Sequence, residues 1–387
     1  MPVLEKIAAY LEDLVAIRRD IHQHPELGFE EVRTSALVAD ALERYGVEVH
    51  RGIGRTGVVG IIRGAKGEGR SIGLRADMDA LPMEEKTNLA YASKAPGRFH
   101  GCGHDGHTTI LLGAARYLAE TRNFAGSVVL IFQPAEEGLG GARAMIADGL
   151  FERFPCDEIY GFHNAPHDDP YKVGIKPGVA MAGADFFDIR IRAQGSHGAQ
   201  PEESKDPIVA ATALIQLLQT IVSRNISPMQ PSVLSVTQIH SGSTYNVIPD
   251  QAVISGTVRF LDRDVNEKIR DRMRAIAKGV ATSFDVQIDV EIRNVFDVLI
   301  NTETLVEGFA DAARDVVGAE MVSITSAPIM ASEDFADMLF KVPGVYCTIG
   351  HSGDVPVHNP GFVLDDGILP VGASILARLI ERRLASS

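Results

Sequence analysis

The sequence predicts an α/β protein of two domains, in which a small α+β domain is inserted into a larger domain with a mostly parallel sheet. Three observations support this prediction: the length, the alternation of helix and strand patterns in the outer parts of the chain, and a change of pattern between them. A chain of 387 residues exceeds one ordinary hydrophobic core. We assign residues 1–180 and 296–387 to the larger domain and residues 181–295 to the inserted one.

Helices and strands alternate through the first part of the chain. Helical spacing of apolar residues predicts helices at about 3–22, 31–45, 107–121 and 140–148. Short apolar or β-branched runs predict strands at 47–51, 58–63, 71–76, 127–132 and 158–162. Pro25 ends the first helix because a residue before proline avoids the helical conformation. This alternation is typical of a largely parallel sheet covered by helices.

The pattern changes near residue 180. Residues 186–193 alternate apolar and polar side chains, as a sheet with one solvated face does. The following elements are a helix at about 206–223, strands near 232–240 and 252–261, a helix at about 263–283, and a strand near 286–293. This β-α-β-β-α-β order is the ferredoxin-like arrangement. The α/β pattern returns from about residue 299, and a last helix is expected at about 366–384.

Composition excludes several classes of function. The net charge of −14 argues against a nucleic-acid partner, since phosphate binding needs clustered Lys and Arg. No apolar run approaches the roughly 20 residues that span a bilayer, and the N-terminus lacks the pattern of a signal peptide. Three widely spaced cysteines, Cys102, Cys156 and Cys347, favour reduced thiols in a cytoplasmic protein over a disulfide framework.

The densest cluster of potential metal ligands is residues 100–107, His-Gly-Cys-Gly-His-Asp-Gly-His, just before a predicted helix. Glycines allow a tight backbone turn, so that Cys102 and His104 can converge on one point. Thiolate and imidazole together suit zinc and related first-row ions. The alternative interpretation is a polar loop with scattered histidines.

Two adjacent carboxylates, Glu136 and Glu137, follow the predicted strand at 127–132. Sites in doubly wound sheets form at the carboxyl ends of strands. Adjacent side chains point in different directions, so one carboxylate can bind metal while the other faces a substrate. A carboxylate beside a metal-bound water can accept its proton and pass it to a leaving amine. Two acids in a solvated loop are the alternative.

His163 and His358 complete the set of candidate ligands, with His351 as the rival of His358. His163 follows a predicted strand, and His358 lies in a loop before the last helix. A lone histidine is more often structural, and these two gain weight because the clusters above need partners. Asp77 and Asp79 also end a strand, and one of them can orient a metal-bound imidazole.

A glycine motif between the first two predicted strands matches the dinucleotide fingerprint, in residues 52–57. The fingerprint must open a helix, whose N-terminus binds the pyrophosphate. Here a predicted strand follows at 58–63. The nucleotide-binding interpretation therefore fails.

At these residues the chain resembles the aminoacylase/carboxypeptidase family of co-catalytic metallopeptidases. Within that family it is similar to the branch of hippurate hydrolase, N-acyl-amino-acid amidohydrolases and plant auxin-conjugate hydrolases. The matching motifs run in order along essentially the whole chain: Arg19–Gly28, Arg75–Pro82, Cys102–His107, Gln133–Gly138, Phe162–Asn164, Gly195–Pro201, Asn246–Pro249, Ser332–Phe335 and His358–Phe362.

The resemblance implies a role for each candidate. It implies that two divalent ions, zinc, manganese, cobalt or nickel, are held by Cys102, His104, Glu137, His163 and His358, with Cys102 as the bridge. Glu136 matches the general acid/base, and Asp79 matches the orienting carboxylate. The wider family has a ligand histidine where Asp77 stands, so Asp77 is not expected to bind metal.

The resemblance also gives the inserted domain a role as a lid and dimerisation element. His197, Asn246 and Arg259 match residues that the family turns toward the substrate. An Arg suits the free carboxylate of an amino acid, and a His can stabilise an oxyanion, often across a homodimer.

The expected reaction is hydrolysis of an N-acyl amino acid to a carboxylic acid and a free amino acid. Three alternatives stay open. A dipeptidase of the same family would accept a free α-amino group. A metal- or amino-acid-binding protein would need no spare base such as Glu136. A thiol enzyme with Cys102 as nucleophile would remain active after chelation.

Overall fold

The structure, a computed structural model, describes residues 3–324, 327–351 and 353–385. The helices of this part of the chain are α1 (Glu5–Ala8), α2 (Leu11–Gln23), α3 (Val32–Arg44), α4 (His104–Thr121), α5 (Gly141–Ala147), α6 (Leu150–Arg153), α7 (Pro207–Thr220), α8 (Arg263–Phe284), α9 (Glu303–Val317), α10 (Phe335–Leu339) and α11 (Ile368–Arg383).

The strands of the same residues are β1 (Glu48–Ile53), β2 (Gly57–Arg63), β3 (Ser71–Asp77), β4 (Ser127–Gln133), β5 (Glu158–Ala165), β6 (Val173–Ile175), β7 (Gly178–Met181), β8 (Gly183–Arg192), β9 (Ser196–His197), β10 (Ser232–Ser241), β11 (Val247–Ile248), β12 (Gln251–Phe260), β13 (Gln287–Phe296), β14 (Leu299–Asn301), β15 (Val322–Ile324) and β16 (Gly344–Gly350).

The chain divides into two compact units. One unit contains the described residues up to Ala180 and those from Ile300 on, except for Pro328–Glu333. That short segment belongs with Met181–Leu299 in the second unit. The expected boundaries at 180/181 and 295/296 stay predictions, since compactness alone does not define an independently folding domain.

The first unit is built on an eight-stranded sheet of order β1-β2-β4-β3-β5-β16-β6-β15. The four strands β4, β3, β5 and β16 run parallel to one another, whereas β1 and β2 are antiparallel additions at one edge. The parallel strands are buried on both faces, which is why β4 reads as a continuous apolar run rather than an alternating one.

Helices cover this sheet and close its hydrophobic core. Helix α4 is buried along most of its length and packs against β3 and α11. Helix α11 also packs against α9, so that the last part of the chain completes the core begun by the first. The carboxyl ends of β3, β4 and β5 therefore lie side by side at one edge of the sheet, next to the N-terminus of α4.

The second unit has the predicted β-α-β-β-α-β order. Its antiparallel sheet has the order β10-β12-β8-β13, and α7 and α8 pack against it. Asp206 and Asp262 begin the two helices by accepting backbone N–H groups with their side chains. The predicted α/β class with a large, mostly parallel sheet is confirmed.

Two local predictions differ from the structure. The helix expected at 3–22 is two helices, because the backbone breaks at Ala9 and Tyr10 between α1 and α2. The prediction that no apolar segment approaches the length of a membrane span was also wrong. By length and composition, α7 with its extension, Pro207–Asn225, is long and apolar enough to cross a membrane. One such helix is weak support for a membrane span, since interleaved polar residues and a packed inner face suit a soluble domain equally well.

Candidate metal centre and active site

The candidate residues of the first unit gather where β3, β4 and β5 end. Asp79 follows β3, Glu136 and Glu137 follow β4, and His163 lies near the end of β5. His104 opens α4, and its position brings the preceding Cys102 to the same edge. These side chains come together because the carboxyl ends of parallel strands lie at the same edge of the sheet.

Gly103 makes the convergence of Cys102 and His104 possible. Its φ of +94° lies in the left-handed region, which favours glycine. A Cβ at this position would also overlap the Oδ1 atom of Asn164. A residue with a side chain would therefore push α4 away from β5 and separate the two candidate ligands.

The Cys102 thiol lies between two imidazoles. Its Sγ atom is 3.3 Å from His163 Nε2 and 3.3 Å from His358 Nε2. Burial raises the pKa of this thiol, so a nearby cation is needed to keep it as a thiolate at neutral pH. One sulfur flanked by two ring nitrogens is the arrangement expected of a ligand shared by two ions.

Glu137 and His104 present buried ligand atoms close to each other and to His358. Glu137 Oε1 lies 3.3 Å from His358 Nε2 and 3.9 Å from His104 Nε2. Neither Glu137 Oε1 nor His104 Nε2 makes a hydrogen bond among the described residues, although both atoms are buried. Buried polar atoms normally have partners, and a divalent cation would supply the missing one. The residues present therefore fit a metal centre.

Asp79 forms hydrogen bonds with two of the candidate ligands, His104 and Glu137. Its Oδ1 atom lies 3.2 Å from His104 Nδ1, and its backbone oxygen lies 2.9 Å from the same nitrogen. Its Oδ2 atom accepts the Glu137 backbone N–H at 3.0 Å. This arrangement makes Nδ1 of His104 the protonated nitrogen and leaves Nε2 for a metal ion.

The two remaining histidines have opposite electrostatic surroundings. Burial lowers the pKa of His163 to about 3, which keeps its imidazole neutral. The nearby Cys102 sulfur and Glu137 carboxylate raise the pKa of His358 to about 10. The thiol and the carboxylate therefore favour positive charge beside His358.

His107 and His351 lie behind this centre rather than in it. His107 has Asp77 Oδ1 at 2.6 Å from Nδ1 and Asn164 Oδ1 at 2.8 Å from Nε2, so both ring nitrogens already have partners. His351 Nε2 lies 3.4 Å from Asn164 Nδ2. The structure thus brings His358, and not His351, next to Cys102.

Glu136 is buried, with 6% of its surface exposed. Its carboxylate belongs to a group with the ligand atoms of His104 and Glu137, all within 4.8 Å of one another. The two adjacent glutamates therefore both reach the centre, while only Glu137 has its backbone N–H tied to Asp79.

Comparison with known proteins identifies the family. Residues 73–382 match the sequence signature of Peptidase family M20/M25/M40. The chain belongs to this family. It is a hydrolase of amide bonds, as predicted, and the resemblance inferred from its motifs is confirmed.

Three relatives of this M20 chain are informative. Hippurate hydrolase of Campylobacter jejuni is 42% identical over 384 residues, covering 99% of this chain and all of the relative. N-acetyl-L-cysteine deacetylase of Bacillus subtilis is 41% identical, covering 97% of this chain and 89% of the relative. A solved Bacillus subtilis protein, described as a dinuclear metal binding peptidase from the M20 family, has a TM-score of 0.82 at 34% identity and covers 98% of this chain and 100% of its own.

The three substrate-facing candidates of the M20 chain all lie in the second unit. His197 pairs with Val247 across β9 and β11, and the N–H of Gly198 donates to the backbone oxygen of Asn246 at 2.8 Å. His197 and Asn246 are exposed neighbours. Arg259 is half-buried on β12, at the opposite end of that strand from the Asn246 loop.

Sequence reasoning offered Asp77 as a possible orienting group and His107 as part of the ligand cluster, but it missed that His107 joins Asp77 to Asn164 in one supporting network. Only the fold shows that these side chains meet. The Phe162–Asn164 motif was the one available signal for Asn164.

Proposed function

We propose that this M20 hydrolase cleaves N-acyl amino acids into a carboxylic acid and a free amino acid. The observation that carries the proposal is the Glu136–Glu137 pair: Glu137 presents to the candidate ligands a buried oxygen that makes no hydrogen bond among the described residues, and Glu136 lies buried beside them. Hippurate hydrolase and N-acetyl-L-cysteine deacetylase, both about two-fifths identical to the chain, are named for substrates of this class.

Five side chains are proposed to hold two divalent ions, zinc, manganese, cobalt or nickel. They share donor atoms that soft and borderline first-row ions prefer, and they are Cys102, His104, Glu137, His163 and His358. Their grouping into two sets that share Cys102 supports a pair of ions with the sulfur between them. When bound, the ions would polarise an amide carbonyl and lower the pKa of water toward about 7.

Glu136 is proposed to carry the proton in this reaction. Its carboxylate would accept a proton from the attacking water and then deliver it to the amide nitrogen, so that the amine leaves uncharged. Asp79 acts as a positioning residue, since it holds His104 by the ring and Glu137 by the backbone.

Arg259 is proposed to bind the α-carboxylate of the substrate. Its guanidinium has no carboxylate within ion-pair distance among the residues that the structure describes, and burial lowers its pKa. Its Nη1 donates to the Thr257 hydroxyl, which fixes the fork without neutralising the charge. A half-buried cation without a counter-ion suits a ligand that brings one.

The second unit is proposed to form a homodimer and to act as a lid. Within β12, Arg259 stands eight residues beyond Gln251, which lies next to the Asn246 loop, so the two ends are roughly 26 Å apart at about 3.3 Å per residue. One N-acyl amino acid is too short to touch both ends of this sheet. A second copy that supplies His197 and Asn246 would resolve the separation.

Exposed apolar side chains on the second unit support the same proposal. They lie on α7 and on the edge strand β10, and they are Ile208, Val209, Leu217, Val233 and Ile239. An open strand edge beside exposed apolar residues is a common pairing surface.

Sedimentation should show a dimer that the double variant Val209→Asp/Leu217→Asp converts to monomers. The control Leu11→Asp, at a similarly exposed leucine of α2, should stay dimeric, and dimeric double variants would refute the interface.

A cytoplasmic, membrane-free and nucleic-acid-free protein remains our expectation. The three cysteines are unpaired, as suits a reducing compartment, and the net charge is −14.

The substrate class is tested by comparing substrates on one metal-loaded preparation. N-acetyl and N-benzoyl amino acids should be hydrolysed with a higher kcat/KM than dipeptides of the same C-terminal residue. A preference for dipeptides would favour the dipeptidase alternative. Tight binding without hydrolysis of either would favour a binding protein.

A further inference from the structure

Residues 26–31 contact both loops of the candidate active site, although the mechanism proposed above does not use them. On one side, the Ala80 N–H donates to the backbone oxygen of Glu26 at 2.8 Å, directly after Asp79. On the other side, a Cβ added to Gly28 would stand 3.0 Å from both Cα and Cβ of Ala135. The segment is therefore packed against the residue that precedes Glu136.

Glu31 ends this segment with a fully buried carboxyl group. Its Oε1 atom accepts the backbone N–H of Ala135 at 2.8 Å, and its Oε2 atom accepts the Thr56 hydroxyl at 2.6 Å. Both oxygens thus have protein partners, and one of those partners belongs to the turn that carries Glu136.

Ala135 needs such a partner. It is fully buried and has a φ of +53°, a left-handed conformation that is unfavourable for a residue with a Cβ. Without Glu31, its N–H would be a buried donor with no acceptor, which favours a rearranged turn.

The residues on the two sides of Glu136 are held through their backbone N–H groups by different carboxylates. Glu31 accepts the N–H of Ala135, and Asp79 accepts the N–H of Glu137 at 3.0 Å. Asp79 therefore fixes the side of the turn that bears a candidate ligand. Glu31 fixes the side that leads into the proposed acid/base.

We propose that Glu31 is a positioning residue for Glu136, holding the Pro134–Ala135 peptide at the start of the turn so that the Glu136 carboxylate meets the water and the amide nitrogen. This inference rests on the proposed function, in which Glu136 transfers the proton. Catalytic groups misplaced by about 1 Å can lose about 10²-fold in rate.

The glycine-rich turn that resembled a nucleotide fingerprint supports this role. It joins β1 to β2 as a hairpin, and it carries Thr56 to the Glu31 carboxyl group. Burial raises the pKa of Glu31 to about 7, against the opposing hydrogen bond from Thr56. Oε1 can accept the Ala135 N–H whether or not Oε2 is protonated. The length of the Glu31 side chain therefore matters more for this hydrogen bond than its charge.

Three substitutions of Glu31 separate the effect of side-chain length from the effect of charge. Glu31→Gln keeps an oxygen at the same distance and should retain kcat within about threefold. Glu31→Asp keeps the charge but is one methylene too short, and its kcat should fall about 10-fold. Glu31→Ala should lose about 10²-fold in kcat. In all three, KM and the metal content per chain should match the wild type, because Asp79 still holds Glu137.

Glu26→Ala is the matched control. Glu26 belongs to the same segment, but its side chain accepts the N–H groups of Arg33 and Thr34 at the start of α3. This variant should lower Tm and leave kcat unchanged.

Wild-type kcat in Glu31→Ala, or equal kcat in Glu31→Asp and Glu31→Gln, would overturn the proposal. Loss of bound metal alongside kcat would also overturn it, since that indicates a general structural role. If Glu31→Ala does not fold, the Asp and Gln variants decide. Glu136→Gln separates the two hypotheses: if that variant is active the proposed function fails, whereas an inactive Glu136→Gln beside a fully active Glu31→Ala refutes only the role of Glu31.

Discussion

The candidate metal centre of the first unit and the substrate residues of the second are built in opposite ways. Cys102, His104 and Glu136 are buried at strand and helix ends, and hydrogen bonds to neighbouring backbone and carboxylates fix their surroundings. His197 and Asn246 are exposed on short strands and loops, and Arg259 lacks an acidic partner among the described residues. The residues of the first group are thus fixed by their own unit, whereas those of the second group are exposed or lack a charged partner among the described residues.

Removing metal should have the largest effect on activity, because it acts on the candidate metal centre of the first unit. Dialysis against a chelator should abolish hydrolysis of an N-acetyl amino acid, because buried ligand atoms such as His104 Nε2 and Glu137 Oε1 are left without their cation. Added zinc, manganese, cobalt or nickel should restore it to different extents. Activity that survives complete chelation would instead support Cys102 as a thiol nucleophile.

The second unit should depend on a buried ion pair for stability rather than for chemistry. Asp185 is fully buried, and Arg270 donates to both of its oxygens at 2.6 and 2.7 Å. Arg270→Ala leaves that carboxylate uncompensated and should lower the free energy of unfolding by about 3–5 kcal/mol, measured by denaturant titration.

The exposed pair Arg192–Asp289 provides the control for that measurement. Its atoms are 2.8 Å apart, and both side chains are more than half exposed. Arg192→Ala should therefore cost less than about 1 kcal/mol. Equal losses in the two variants would show that burial does not strengthen the Arg270 pair.

Arg259 should affect substrate binding more modestly. Arg259→Met removes charged hydrogen bonds to a carboxylate, worth about 1.5–3 kcal/mol, so KM for N-acyl amino acids should rise about 10- to 10²-fold. An N-acyl amino acid amide, which lacks the carboxylate, should be hydrolysed equally by wild type and variant. Arg190→Met, an exposed arginine paired with Glu291, is the matched control and should leave KM unchanged. A wild-type KM in Arg259→Met would remove Arg259 from the substrate site.

Much of the fold was predictable because its elements depend on local patterns. The continuous apolar run of β4 and the alternation along β8 follow directly from burial on two faces or one. The short strands β6, β9, β11 and β15 were missed, since two or three residues carry no periodicity. The break at Ala9 and Tyr10 also lacks a proline or glycine to announce it.

The candidate site was predictable where ligands cluster in the sequence, as at Cys102 and His104. The choice between His358 and His351 depended on family resemblance, because both lie in loops whose positions are set by long-range packing. Glu31 was missed for a related reason: its partner Ala135 is 104 residues away in the chain and offers only a backbone N–H. A backbone N–H is common to nearly all residue types, so the sequence does not show which residue it will pair with.

The division of labour between adjacent glutamates is the central claim, and one paired measurement tests it. Glu136→Gln and Glu137→Gln should be compared for bound metal per chain and for kcat on one N-acyl amino acid. Glu136→Gln should keep its metal and lose about 10²–10⁴-fold in kcat, whereas Glu137→Gln should lose metal. Near-wild-type turnover in Glu136→Gln, or equal metal loss in both variants, would contradict the assignment.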